Sequence, residues 1–299
     1  MSTCTRRGFF KTTFATGAAL TAASALPAIE PIARHGKSLI KLSLAAYSFN
    51  RYLRAKPKPT MTLDEVVDFA AGIGLGAVEP TAYYFPETTP EYLAHLKGKC
   101  TRLGLDISGT AIGNDFCKTD PAELRKQMEY TKQWVDHAAF LGAKTIRIFA
   151  GSLQKGDTEE QARKRCIAAI EEACDYAGKF GIYLALENHG GIVTTVDQML
   201  AVVKGVKHAW FGVNWDTGNF VTEDPYADLE KIAPYAVTVQ IKTEIQYKGK
   251  PKQESDLKRL LDILRAANYR GYVALEYEAA EDPRTAVPKA IAKLQELVK

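Results

Sequence analysis

Short apolar runs alternate with helix-like segments along most of the chain, and this alternation limits the folds that the chain can adopt. Eight runs read as strands, and they end near Tyr47, Glu79, Thr110, Phe149, Glu187, Asp216, Lys242 and Glu276. Some are almost uninterrupted in apolar residues, as in Ile182–Glu187 (IYLALE), which is typical of parallel strands covered on both faces. Eight strand–helix units that close on themselves predict an α/β fold, a single (β/α)8 TIM barrel.

Helix start signals support the same alternation. Thr62-Leu63-Asp64-Glu65 has the capping-box pattern, which recurs at 158–161 and 195–198. An Asp-Pro pair, a favoured start of a helix, stands at 120–121, 224–225 and 282–283. A doubly wound sheet would need a glycine-rich turn after its first strand, but that strand runs into Ser48-Phe49-Asn50-Arg51.

The first 28 residues have the order of an export signal. Arg6 and Arg7 precede a weakly apolar stretch, Phe14–Leu26, and small residues continue to Ala28. This pattern predicts a twin-arginine (Tat) signal peptide at residues 1–28, cleaved around 25–28. Residues 29–299 are then the barrel domain, which we expect to be periplasmic or otherwise exported, with no membrane attachment after cleavage.

The charge of the chain argues against a polyanionic partner. Lysine and arginine number 39 and acidic residues 35, a formal net charge of +4. The first 28 residues contain three of the basic residues and no acid, so residues 29–299 carry +1. Nucleic-acid-binding domains are usually strongly basic, and we therefore expect no nucleic acid as a partner.

Carboxylate and amide side chains end four successive apolar runs in the second half of the chain. Glu187, Asp216, Gln240 and Glu276 are separated by 29, 24 and 36 residues, near one strand–helix unit each. Because carboxyl ends of barrel strands meet at one face, these side chains should gather there. Three carboxylates and one amide carbonyl predict a divalent metal, Mn²⁺ or Mg²⁺, with Co²⁺ or Zn²⁺ as alternatives. The alternative is a set of structural ion pairs with Lys242 or Arg147.

Other polar side chains fall at the same strand ends and are candidates for substrate contact. His189 follows Glu187 by two residues, and Glu79 ends the second strand, where it either binds substrate hydroxyls or plays a structural role. Lys242 either neutralises the carboxylates or stabilises a developing enolate. Arg147 lies in an apolar strand, and because a buried arginine needs a partner, we expect it to hold a carboxylate such as Glu187.

Four segments that contain these residues resemble the signature segments of a known superfamily. They are Leu186–Gly190 (LENHG), Trp215–Asn219 (WDTGN), Val239–Lys242 (VQIK) and Leu275–Glu278 (LEYE). Similar segments occur in the xylose isomerase-like TIM barrels, which include sugar isomerases and epimerases, inosose dehydratases and endonuclease IV. The resemblance extends over about residues 38–298.

The resemblance implies roles for individual residues and also shows departures. It matches Glu187, Asp216 and Glu276 to metal-binding carboxylates. Gln240 stands where the family usually has a metal-binding histidine, and Thr243 stands where an aspartate usually follows. Asn219 takes the place of a histidine that contacts substrate in the epimerase branch, and we expect it to contact substrate here. The family also makes a homodimer or homotetramer plausible.

These observations predict an exported, metal-dependent sugar isomerase or epimerase. Glu187 and Glu276 would transfer a proton next to the carbonyl of a free sugar, polyol or keto-sugar. One alternative is a lyase or dehydratase that eliminates from a 3-keto-glycoside or an inosose through the same enolate. Another is a non-catalytic sugar-binding barrel. An endonuclease IV-like activity is disfavoured, because His189 is the one histidine expected at the barrel mouth.

Overall fold

The computed structural model describes residues 29–299 of the chain. Parallel strands form the inner layer of this part of the protein. The predicted signal peptide, residues 1–28, lies outside these residues. The strands are β1 (Leu39–Ala45), β2 (Ala77–Glu79), β3 (Asp106–Ile107), β4 (Thr110–Ala111), β5 (Thr145–Ile148), β6 (Tyr183–Glu187), β7 (Phe211–Asp216), β8 (Ala236–Ile241), β9 (Glu244–Gln246), β10 (Lys252–Glu254) and β11 (Arg270–Leu275).

Nine of these strands form one parallel sheet that curls into a barrel. Their order is β3-β2-β1-β11-β8-β7-β6-β5-β4. β3 pairs with β2 and β4 pairs with β5, so β3 and β4 are two pieces of the third barrel strand. A parallel bridge between Thr81 and Ala111 joins the chain after β2 to β4. Eight barrel strands therefore surround the core, and the predicted (β/α)8 TIM barrel is confirmed.

The break in the third strand, at Ser108 and Gly109, was not apparent from the sequence. A Cβ atom on Gly109 would lie 2.4 Å from Thr145 Oγ1, which is too close for any other residue without a local shift. The same Cβ would lie 3.5 Å from Glu79 Oε2. Glycine thus lets the third strand pass close to β5 and to the carboxylate that ends β2.

Helices cover the outside of the barrel. They are α1 (Asn50–Leu53), α2 (Leu63–Gly72), α3 (Pro90–Arg102), α4 (Pro121–Leu141), α5 (Glu159–Ala177), α6 (Val196–Val203), α7 (Pro225–Ile232), α8 (Leu257–Ala266) and α9 (Pro283–Leu297). Capping boxes form at Thr62, Thr158 and Thr195, as the sequence predicts. An aspartate caps each of the three helices that begin with proline after Asp120, Asp224 or Asp282. Within the described residues, no helix has the length and apolar character of a membrane span.

The two ends of the barrel differ. The segment before β1 lies against the amino ends of the strands, where Ile29 N donates to Val206 O at 3.2 Å and Ile32 N to Pro234 O at 3.0 Å. At the carboxyl ends, the chain after β8 forms the antiparallel hairpin of β9 and β10. This second end, which we call the barrel mouth, is where the strand-end polar residues lie.

Candidate active site at the barrel mouth

Glu187, at the end of β6, is held by contacts from two neighbouring elements. Its Oε2 lies 2.8 Å from Arg147 Nε, and its Oε1 accepts a hydrogen bond from Asn219 Nδ2 at 2.7 Å. Glu187 is 2% exposed and Arg147 is 4% exposed. The contact with Arg147 is a charge pair without the N–H alignment of a hydrogen bond. Arg147 thus contacts the carboxylate expected from the sequence.

Arg147 is itself fixed by three further contacts. Its Nη1 donates to Ile112 O at 2.6 Å and lies 3.5 Å from Tyr83 Oη. The guanidinium carbon lies 4.0 Å from the centre of the Phe149 ring, a cation–π contact. Burial alone would lower the pKa of this guanidinium, but Glu187, Tyr83 and Glu276 together outweigh burial and raise the pKa. Arg147 therefore stays charged and places Glu187 in one position.

Glu79, Gln240 and Asn214 form a buried chain of hydrogen bonds. Gln240 Nε2 donates to Glu79 Oε1 at 2.7 Å, and Gln240 Oε1 accepts from Asn214 Nδ2 at 2.6 Å. The amide that the sequence predicts as a metal ligand thus joins β2, β7 and β8. A carbonyl oxygen has two lone pairs, so the bond from Asn214 leaves one of them. The role of Gln240 as a ligand stays a prediction.

Lys242 follows β8 and lies among three carboxylates. Its Nζ is 2.9 Å from Glu278 Oε2, 3.3 Å from Asp216 Oδ2 and 3.7 Å from Glu276 Oε2. It also donates to Asn219 Oδ1 at 3.3 Å. Asn219 therefore connects Lys242 to Glu187. Glu278 lies beyond the end of β11 with its side chain 32% exposed, and it makes the shortest contact with the ammonium.

Burial of these charged groups shifts several pKa values. Burial raises the pKa of Asp216 to about 6 and that of Glu79 to about 7, and it holds the pKa of Glu276 well above its usual range. Burial opposes the charged form of Lys242, but Asp216, Glu276 and the other carboxylates outweigh it and raise the pKa of the ammonium. The negative charge at the mouth is therefore only partly balanced.

His189 lies apart from this network. Its side chain is exposed, and its ring centre is 4.5 Å from that of Phe149. The ring packs against Phe149 rather than among the carboxylates, and its exposed position is open to a bound molecule. Its role in substrate contact, like the roles of Glu79, Lys242 and Asn219, stays a prediction.

Asn188 and Asn214 are two site residues that sequence reasoning missed. Asn188 is fully buried; its Nδ2 donates to Asp216 O at 3.0 Å and its Oδ1 accepts from Asp216 N at 3.1 Å. It therefore fixes the end of β7 against β6. The sequence does contain a signal for both residues: Asn188 directly follows an apolar strand in LENHG, and Asn214 lies within one in FGVNWD. A buried amide needs hydrogen-bond partners, so both positions indicate such contacts.

Replacing Asn188 with alanine should destabilise the barrel. The change leaves the backbone N–H and C=O of Asp216 without their partner from Asn188, at a cost of about 2–4 kcal/mol in the free energy of unfolding. Urea denaturation followed by circular dichroism measures this. Gln253→Ala on the exposed strand β10 is the control, with an expected change within about 0.5 kcal/mol. Equal stability of the two variants would contradict the bridging role.

Replacing Glu79 with glutamine should change the pH dependence of stability. The folded pKa of about 7 lies above the ordinary 4.5 because of burial. The folded protein therefore binds the proton more tightly, and stability present below pH 4.5 is lost as the pH rises through 7. The loss amounts to about 3 kcal/mol, and Glu79→Gln should remove it.

Urea unfolding at several pH values between 4 and 8, in the presence of a chelator, measures this effect. The pKa values of Asp216 and Glu276 are also raised. Glu79→Gln should therefore keep part of the decline in stability with rising pH. Glu91→Gln, on the exposed side of α3, removes one charge outside the barrel and serves as the matched control. A Glu79→Gln protein with an unchanged decline would show that Glu79 does not titrate in this range.

The mouth residues offer part of what a divalent cation needs. Two cations, Arg147 and Lys242, contact or lie near five carboxylates. These are Glu79, Glu187, Asp216, Glu276 and Glu278. Glu187 Oε2 and Asp216 Oδ2 are buried and accept no hydrogen bond from residues 29–299. Buried carboxylate oxygens without a hydrogen bond, together with more carboxylates than cations, fit a hard cation. As the side chains stand, however, no three His, Cys, Asp or Glu residues of that range surround a common point.

A cavity of about 200 Å³ opens beside Lys242 at the mouth. Asn219, Lys242 and Glu278 line its floor, and Gln246 and Lys252 of the hairpin line its wall. A larger groove, of about 650 Å³, lies between α7 and α8 on the outside of the barrel and is lined by helix residues such as Glu230 and Arg259. The candidate site lies at the smaller cavity, because Lys242, which contacts the buried Asp216 and Glu276, lines it.

Several solved structures resemble the barrel. A D-psicose 3-epimerase crystallised with D-fructose has a TM-score of 0.71 at 17% identity, covering 86% of this chain and 99% of its own. The 3-keto-D-glucoside 4-epimerase from E. coli has 0.66 at 17%, covering 87% and 100%. The probable 3-DHS dehydratase from Bacillus anthracis has 0.64 at 17%, covering 84% and 98%. At these identities the likeness shows the fold alone.

A comparison with proteins of curated function gave no match. The model of one family, described as xylose isomerase-like TIM barrel, matches residues 67–297. That range includes β2 to β11 and every candidate site residue discussed above. The match covers well over half of the chain and agrees with the resemblance seen in the four sequence segments. The chain therefore belongs to the xylose isomerase-like TIM barrel family.

Proposed function

We propose that the protein is an isomerase or epimerase that moves a proton at a carbon next to a carbonyl group. The substrate we propose is a free sugar, a polyol already oxidised to its ketone, or a keto-sugar, and the enzyme would use a divalent metal, Mn²⁺ or Mg²⁺ in preference to Co²⁺ or Zn²⁺. We further propose that it acts outside the cytoplasm after export by the twin-arginine pathway. The epimerases among the structurally similar proteins support the reaction class.

The observation that carries the proposal is that Glu187 and Glu276 are both buried at the mouth but in different charge environments. Glu187 lies 2.8 Å from Arg147, which holds its side chain in one position for the role of general base. Burial raises the pKa of Glu276, which favours the protonated form that a general acid needs. Paired carboxylates in contrasting surroundings are typical of acid–base catalysis.

The two carboxylates approach the mouth from different directions, because β7 and β8 lie between β6 and β11 in the barrel. A carbon held between them would lose a proton to Glu187 and receive one from Glu276. Addition from the other side of the carbon inverts its configuration, and addition at the neighbouring carbon gives the isomer. Both outcomes need the same enolate, whose negative oxygen the Lys242 ammonium would stabilise.

The other mouth residues bind and orient the substrate in this proposal. Asn219 and Lys242 line the cavity and offer an amide and an ammonium to substrate hydroxyls. Glu187, Asp216 and Glu276, with the carbonyl of Gln240, would hold the divalent metal, which when bound polarises a substrate carbonyl as a Lewis acid. Glu79 would hold Gln240 in position by accepting its hydrogen bond.

The test is to incubate the purified protein with Mn²⁺ or Mg²⁺ and a set of free ketohexoses, inososes and 3-keto-glucosides. Products are identified by NMR. A new epimer or aldose–ketose isomer supports the proposal. An unsaturated product would identify a lyase instead, because the same enolate expels a leaving group at the β position. Tight binding of a sugar without any product would identify a binding protein.

A further inference from the structure

We propose that Lys242 is an internal competitor of the divalent cation: its ammonium holds Asp216 and Glu276 until a cation binds and then moves towards Glu278. The inference rests on the proposed metal requirement and adds a regulated step to it. It concerns a lysine that the sequence analysis assigned only to charge neutralisation or to an enolate.

The contacts of the ammonium are the first observation. Lys242 is 7% exposed, and its Nζ lies within 4 Å of Asp216, Glu276 and Glu278. Asn219 Oδ1 is a fourth acceptor. An ammonium has three N–H groups, so it cannot serve four acceptors equally. The shortest contact, 2.9 Å, is with Glu278.

The depths of the three carboxylates differ, and this sets the direction of movement. The side chain of Asp216 is fully buried and that of Glu276 is 6% exposed, whereas that of Glu278 is 32% exposed at the rim. A divalent cation between the two deep carboxylates would repel the ammonium. Glu278 and Asn219 are acceptors that the ammonium already contacts and would keep on the rim side.

The surroundings of the lysine provide room for such a movement. The cavity beside it is lined by Lys242, Asn219 and Glu278 together. Residue 218 is a glycine, and a Cβ atom there would lie 2.6 Å from Lys242 Cδ, so any other residue at this position would confine the lysine stem. The four-carbon stem of lysine has several rotatable bonds, so its ammonium can shift without a change in the backbone.

The experiment is a calorimetric titration of Mn²⁺ into chelator-treated protein. Lys242→Met removes the competitor, and we expect about tenfold tighter Mn²⁺ binding. Glu278→Gln removes the carboxylate towards which the ammonium would move. The ammonium should then remain at Asp216 and Glu276, and Mn²⁺ binding should weaken about fivefold. In the double variant the lysine is gone, so the loss of Glu278 should have little effect and the affinity should match that of Lys242→Met.

Controls separate competition from damage to the fold. Lys248→Met removes an exposed lysine that pairs with Glu223 and should leave the Mn²⁺ affinity unchanged. Thermal unfolding shows whether each variant folds. If Lys242→Met does not fold, the comparison of the double variant with Glu278→Gln decides, because the double variant removes both members of the pair.

The outcomes distinguish the inference from the proposed function. Unchanged or weaker Mn²⁺ binding by Lys242→Met, or by the double variant relative to Glu278→Gln, would overturn the competition while leaving the metal requirement in place. Sugar turnover by a wild-type protein that binds no Mn²⁺, Mg²⁺, Co²⁺ or Zn²⁺ would overturn the metal requirement and the inference with it. Mn²⁺ binding without turnover on any sugar would overturn the proposed function alone.

Discussion

Glutamine at position 187 or position 276 should lower kcat by about 10²–10⁴-fold while the protein stays folded. Each change keeps the size of the side chain but removes the group that accepts or donates a proton. Glu187→Gln retains an oxygen that can accept from Asn219, and Glu276→Gln removes a charge that is costly in its buried position. Turnover of a sugar identified in the substrate screen measures the effect.

The two variants should differ in proton exchange. With Glu187 as the base for one epimer, Glu276→Gln should still exchange the substrate proton with solvent from the Glu187 side but form little product. Glu187→Gln should lose that exchange. Glu254→Gln, on the exposed strand β10, is the control and should retain wild-type turnover. Near wild-type kcat in both mouth variants would exclude the proposed acid–base pair.

Arg147→Met should cause the largest loss of stability, about 3–5 kcal/mol in the free energy of unfolding. The arginine is 4% exposed, and its removal leaves Glu187 buried without the cation that contacts it at 2.8 Å. It also removes the hydrogen bond to Ile112 O. Methionine fills much of the same volume, so the loss reports mainly the uncompensated charge.

Urea denaturation of Arg147→Met, Glu187→Gln and the double variant tests this explanation. The double variant should lose less than Arg147→Met alone, because the unpaired carboxylate is gone. Arg125→Met is the matched control: this arginine pairs with Glu172 on the surface and is 58% exposed, so the expected loss is under about 1 kcal/mol. Additive losses in the double variant would show that the pair is not coupled.

Local signals in the sequence were sufficient to predict the barrel. The capping boxes at Thr62, Thr158 and Thr195 act over three or four residues, and they form as expected. The barrel strands end within one or two residues of the positions that the apolar runs predict. The break at Ser108 and Gly109 was missed; Gly109 there passes close to Thr145, an approach that no local pattern indicates.

The contacts at the mouth were harder to predict than the strand ends. The sequence predicted that Glu79, Gln240 and Lys242 end strands, but not that Gln240 bonds with Glu79 across 161 positions in the chain. Nor does any local pattern indicate that Glu278 contacts Lys242. Such partners depend on side-chain conformation and on which strands are neighbours in space, whereas spacing along the chain reports only which face a residue occupies.

Proton transfer at carbon can be tested most directly by turnover in D₂O. The wild-type protein is incubated with the sugar it converts, and recovered substrate and product are examined by NMR. We predict that solvent deuterium enters one C–H position next to the carbonyl in wild type and does not in Glu187→Gln. Complete conversion over many turnovers with no deuterium in either compound would contradict the account.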